Sequence, residues 1–177
     1  MEQLRTLRAY LGISDKPEEC HQRVSGSCEW IDARDDFQDW RDCSEDLLAQ
    51  DGADLGVKNL SIFWVHANPG TGKTVLASHV VSQLQEFQLE CAHYYFHVGG
   101  KDSRSLGPFL RSISYQMAMS NAAIRERLAK LCQDGVTFDM DDSRTIWMKL
   151  FKKAILQVGW NLCRNALALL CLLNFLY

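Results

Sequence analysis

Positive charge is in short supply. Nineteen Lys and Arg stand against 22 Asp and Glu, a formal net charge of −3 with a sequence pI near 5.9. Contact with phosphate over an extended surface needs clustered Lys and Arg, so nucleic acid is not an expected partner and any phosphate site must be local. CxxC spacing is missing as well. The seven cysteines (Cys20, Cys28, Cys43, Cys91, Cys132, Cys163 and Cys171) are odd in number and scattered, which fits reduced thiols. The start, MEQLRTLRAY, lacks the apolar core of a signal peptide, and a cytoplasmic setting is expected. Zinc would need Cys20, His21 and Cys28, or His93 and His97; neither set supplies four ligands at a familiar spacing. No apolar run is long enough to cross a bilayer. ALALLCLLNFLY is twelve residues and extending it upstream meets Arg164 and Asn161, whereas a spanning helix takes roughly 18 to 20. A membrane is not an expected partner, and this tail reads as a packed helix or a sticky end. No internal repeat is visible.

What is present is ordinary for a globular domain: 177 residues, 47% hydrophobic and 23% charged. Met1 to Leu11 is weakly helical, and ISDKPEECHQRVSGS, with Pro17 and Gly26, reads as a connector. CEWIDARDDFQDWRDCSEDLLAQ sets Trp30, Phe37 and Trp40 among acids, with Phe37, Trp40, Leu47 and Leu48 on one helical face and the aromatics expected as buried packing. LSIFWVHA is an uninterrupted apolar run suited to a central parallel strand covered on both faces. TGKTVLASHVVSQLQEF shifts to helical spacing, with Val75, Leu76, His79, Val80, Leu84 and Phe87 on one buried side and His79 packed there. CAHYYFHV, rich in β-formers, predicts a second strand. PFLRSISYQMAMS predicts a helix carrying Leu110, Ile113, Tyr115 and Met117. NAAIRERLAKLCQDG predicts another, closed by Gly135, and DDSRTIWMKLFKKAIL a third, with acids at its first turn and lysines at its last. Strand, glycine loop, helix, strand, helix is the order of an α/β unit, here a three-layer parallel sheet flanked by helices.

The loop between the first strand and its helix carries the chemistry. Phosphates of a nucleotide require converging backbone N–H groups, a mobile cation and a hydroxyl that can share Mg2+. Gly70 and Gly72 permit the backbone angles for inward-pointing amides, and the next helix begins with its positive end at the anion. Lys73 is the cation for the β- and γ-oxygens, and Thr74 the magnesium ligand. Asn68, Pro69, Gly70, Thr71, Gly72, Lys73, Thr74 and Val75 are the candidate nucleotide-contacting residues. The GxxxxGK[ST] pattern asks for glycine where this chain has Ala67; alanine fits there if its φ is not positive, with weaker binding as the expected cost.

The flanks extend the pattern. Ser27, Cys28, Trp30, Ile31, Phe37 and Trp40, then FWVHANPGTGKTVLASHVV, AHYYFH and LGPFLRSISYQMA, resemble fungal NACHT-type proteins with a nephrocystin-3-like N-terminal domain, over about residues 16 to 157. That resemblance implies a P-loop NTPase of the signal-transduction class with numerous domains: a switch that binds ATP or GTP with Mg2+, oligomerises and relays a signal. It also implies a Walker B element, an apolar run ending in acids, soon after the helix at TIWMKLFKKAILQ. This chain reads VGWNLCRNALALLCLLNFLY instead, and no acid follows Asp142. The expected organisation is therefore an N-terminal helix and connector over 1–25, a partial NTPase domain over 26–157 whose sheet is incomplete at its C-terminal end, and an apolar tail over 158–177. Every valine codon begins with GT, so an unspliced intron entered after Gln157 is one origin for that tail and genuine truncation the other. Aligning transcript to genome separates them.

Three functional readings follow: a nucleotide-binding module with little or no hydrolysis, an active NTPase recruiting another acid such as Asp139, Asp141 or Asp142, and a structural or interaction fragment that binds no nucleotide. The first is the primary expectation. A sheet lacking its later strands also predicts self-association or dependence on a partner protein.

Overall fold

The computed structural model describes residues 2–13, 24, 26–45, 63–88, 91–96, 105–158 and 170–172. In chain order these form α1 (Glu2–Tyr10), a 3-10 turn (Glu29–Ile31), α2 (Asp35–Glu45), α3 (Lys73–Glu86), β1 (His93–Tyr95), α4 (Leu106–Ser120), α5 (Ala122–Gln133) and a short α6 (Ser143–Ile146). A π-helical turn (Trp147–Lys152), a 3-10 turn (Ile155–Val158) and β2 (Leu170–Leu172) complete them. Most of the expected connector, Leu47, Leu48 and the tail other than Val158 and β2 lie outside the described residues.

Local chemistry accounts for most element ends. The side chain of Ser105 accepts from the Gly107 amide at the start of α4, and that of Asn121 accepts from the Ala123 and Ile124 amides at the start of α5. Gly135 follows α5 with φ 67°, the left-handed turn that glycine takes without Cβ strain. Beyond α1, Arg111 Nη1 donates to the carbonyls of Leu11 and Gly12 at 2.7 and 3.0 Å, so a side chain from α4 ties down that helix end.

Two apolar clusters hold these elements. The larger joins Leu7 and Leu11 to Phe109, Ile113 and Met117 of α4, Ile124 and Leu128 of α5, and Ile146, Leu150 and Ile155 beyond them. The smaller joins Ile31 and Phe37 to Leu76, Val80 and Leu84 of α3, with Trp40, Phe63 and Val65 packed against it. Phe37, Trp40 and Phe63 form an aromatic triangle with centroids 5.5 to 5.9 Å apart.

The expected three-layer parallel sheet is not the architecture found. The described residues are mostly helical, and their only strand pairing is the parallel contact of β1 with β2, three residues each, in the register His93 with Leu170 to Tyr95 with Leu172. Residues 63–68, expected within a central strand, form no ladder among the described residues. They also bury one side only: Phe63 and Val65 are half-buried against α2 and α3, while Trp64 is 68% exposed and His66 is exposed. The apolar run therefore meets its need for burial through side chains on helices, and burial alone creates no ladder partner. Beside β1, the Gln116 side chain takes the His93 backbone in both directions, accepting from its amide at 2.9 Å and donating to its carbonyl at 2.8 Å. A side-chain amide there supplies what a neighbouring strand would.

Candidate functional site

The segment 67–75 joins the aromatic packing of Phe63 and Val65 to α3. Its turn is held by two bonds to one carbonyl: the Thr71 amide and the Thr71 hydroxyl both donate to Asn68 O, at 3.4 and 2.8 Å. Gly70 and Gly72 have φ of 79° and 87°, the left-handed region, and a Cβ at either would meet no atom within 4 Å. At these two positions glycine answers a backbone requirement, not a lack of room. Ala67 is outside that region, since among the described residues only Cys28 and Gln88 are non-glycine with positive φ. The departure from a leading glycine thus costs no backbone strain here.

Gly72 is the N-cap of α3 and offers no side-chain cap. The start of a fourteen-residue helix therefore carries the partial positive charge of its first amides without a side-chain oxygen built in to offset it. Lys73 folds back over the turn, its Nζ donating to Ala67 O and Asn68 O at 2.8 Å each. These carbonyls hold the ammonium over the loop, which brings together the cation, both left-handed glycines and the helix start. Asn68 to Gly72 are exposed and Lys73, Thr74 and Val75 half-buried, so the predicted residues form one accessible feature. The Lys73 ammonium, the amides from Gly70 onward and the Thr74 hydroxyl are the groups here that could hold an anion and an accompanying cation.

The three acids weighed as water-orienting groups lie elsewhere. Asp142 caps α6, accepting from the Arg144 and Thr145 amides, and hydrogen bonds with Thr145 hold its carboxyl below the usual carboxylate range. Asp139 accepts from the Asp141 amide, and all three are exposed. The helix they introduce packs into the larger cluster through Ile146, whereas α3 packs into the smaller one. Sequence spacing gave no hint of what surrounds α3. His79 is buried as expected but bonded, its Nε2 lying 3.2 Å from Asp32 Oδ2, and Ser78 Oγ lies 2.9 Å from the Tyr95 hydroxyl. Trp30, expected to pack inside, is 56% exposed, and Phe87 is exposed with the Arg41 guanidinium 5.5 Å above its ring. Cys20, His21 and His97 lie outside the described residues, and among those described no group of His, Cys, Asp and Glu could hold a metal ion. Nor is any helix there long and apolar enough to cross a membrane.

The family model described as Nephrocystin 3, N-terminal matches residues 26–164, a stretch that contains the loop, α2 to α6 and the turn at Cys28. No curated protein and no solved structure matches the chain.

Proposed function

The chain belongs to the nephrocystin 3, N-terminal family, and from that premise we propose that its loop at Asn68–Thr74 binds a nucleoside triphosphate with magnesium, as the nucleotide-sensing part of a NACHT-like signalling switch. The observation that carries this reading is the Lys73 ammonium, held by two carbonyls directly over a turn with two left-handed glycines at an uncapped helix start. An incoming phosphate offers that ammonium a charge-assisted partner in place of two neutral carbonyls, and the α3 amides a fixed anion. Thr74 and Val75 complete the contact at the first turn. ATP and GTP are equally compatible with the loop, because purine choice depends on residues outside it.

Binding with little hydrolysis by this chain is the version we favour. In-line attack by water needs a carboxylate to orient water and metal. Asp139, Asp141 and Asp142 are engaged at the start of another helix, away from the loop.

Equilibrium dialysis of magnesium with ATP or GTP against the chain and Lys73→Ala tests the reading. The substitution is expected to weaken binding about thirtyfold, the loss of one charge-assisted contact worth about 2 kcal/mol. Equal binding by both proteins contradicts it. Phosphate release above background would replace the binding-only version with an active NTPase.

A further inference from the structure

We propose that Asp32 and His79 form a positioning clamp that aims the phosphate-loop helix, a role that rests on the nucleotide-binding reading of that loop. Leu76, His79 and Val80 share one face of α3 within two turns of Gly72, and a single upstream segment grips all three. Ile31 packs in the same cluster as Leu76 and Val80, and the next residue, Asp32, meets His79 at 3.2 Å. An ionised carboxylate only accepts, so the imidazole donates from Nε2.

Three features set this pair apart from ordinary packing. His79 is 8% exposed and sits beside an otherwise apolar cluster of Ile31, Phe37, Leu76, Val80 and Leu84. Asp32 Oδ1 is shut off from solvent with no hydrogen-bond partner, so the carboxylate is only half satisfied there. A hydrophobic pair would hold the contact more cheaply; a directed bond fixes rotation and register of the helix, which greasy contacts do not. The approach of the segment is itself constrained. Cys28 opens the 3-10 turn at φ 69°, one of two non-glycine residues in the left-handed region among the described residues. Backbone in that region persists where its surroundings require one geometry, here the geometry that delivers Ile31 and Asp32 to α3. Since Lys73 and the amides beyond Gly72 belong to the same rigid helix, a tilt at His79 moves them relative to the Asn68 turn.

The test measures the dissociation constant for magnesium with ATP together with the melting temperature, in the full chain. His79→Leu is expected to weaken binding about tenfold, the scale of one directed hydrogen bond. His79→Gln, whose side-chain nitrogen can reach the same carboxylate, is expected to restore binding to within about twofold of the parent. Asp32→Ala, at a more exposed site, should match His79→Leu and serves if that variant does not fold. Leu84→Ala, at the far end of α3, should lower the melting temperature and leave affinity unchanged. Parent-like affinity in both His79→Leu and Asp32→Ala overturns the clamp, as does affinity that merely tracks melting temperature across all four variants. If the parent itself takes up no nucleotide the loop reading falls, and the clamp with it. Loss on Lys73→Ala but not on either clamp substitution removes the clamp alone.

Discussion

Gly107 has a negative reason for being glycine: a Cβ built there would come within 2.7 Å of Met140 O, a backbone atom with little freedom to retreat. Gly107→Ala is therefore expected to destabilise the fold by about 1 to 3 kcal/mol, read as a lower urea midpoint at unchanged slope. Tyr10 makes a different kind of long-range tie, its hydroxyl donating to Val136 O at 2.6 Å, and burial pushes its phenol up to about 12. An unfolded tyrosine ionises near its ordinary 10, so the stability this group confers is intact below pH 10 and lost as pH rises through about 12. Tyr10→Phe should shrink that alkaline loss in a series of unfolding curves; an unchanged profile would show that other groups dominate. Single residues were partly legible in the sequence. Spacing marks Gly70 and Gly72 as turn positions, and both take the left-handed backbone such a turn needs, while Ala67 lies outside that region. The Asp32 bond to His79 spans 47 positions, and no pattern along the chain announces it.

At the scale of elements, polar side chains cap the starts of α4, α5 and α6. Asn121 both ends α4 and caps α5, and Asn121→Ala is expected to cost about 1 kcal/mol, visible as a modest fall in melting temperature. The stretch after Asp142 has the spacing of one helix, whereas it forms four α-helical residues, a π-helical turn and a 3-10 turn. Its buried residues explain why periodicity could not distinguish these. Ile146, Leu150, Phe151 and Ile155 fall four and five apart, which suits the wider π turn as well as the α turn, and Trp147 stacks on Phe151 at 4.9 Å. The run at 63–67 misled for the opposite reason: its residues are apolar for packing on one side, and strand formation depends on partners that local composition does not specify.

At the scale of the whole molecule, the two clusters divide the labour. One packs α2 and the turn at Ile31 against α3; the other is built by α1, α4, α5 and the segment from Ile146 to Ile155. α1 precedes the family match, which begins at residue 26, yet Leu7 and Leu11 are fully buried in the larger cluster. Leu7→Ala is accordingly expected to cost about 2 to 5 kcal/mol, and chemical denaturation should show it. A loss below about 0.5 kcal/mol, the range of surface substitutions, would mean that α1 is only loosely attached. The order of elements predicts a layered sheet, but order does not specify pairing, and among the described residues only β1 and β2 pair.

Nucleotide capture by the turn and the first amides of α3 is the claim on which the function depends, and amide NMR tests it most directly. On adding magnesium with ATP or GTP to isotope-labelled chain, the largest shifts should fall on Gly70, Thr71, Gly72, Lys73 and Thr74, and should vanish in Lys73→Ala. Saturating nucleotide that leaves those five amides unmoved, or that moves a different surface instead, would contradict it.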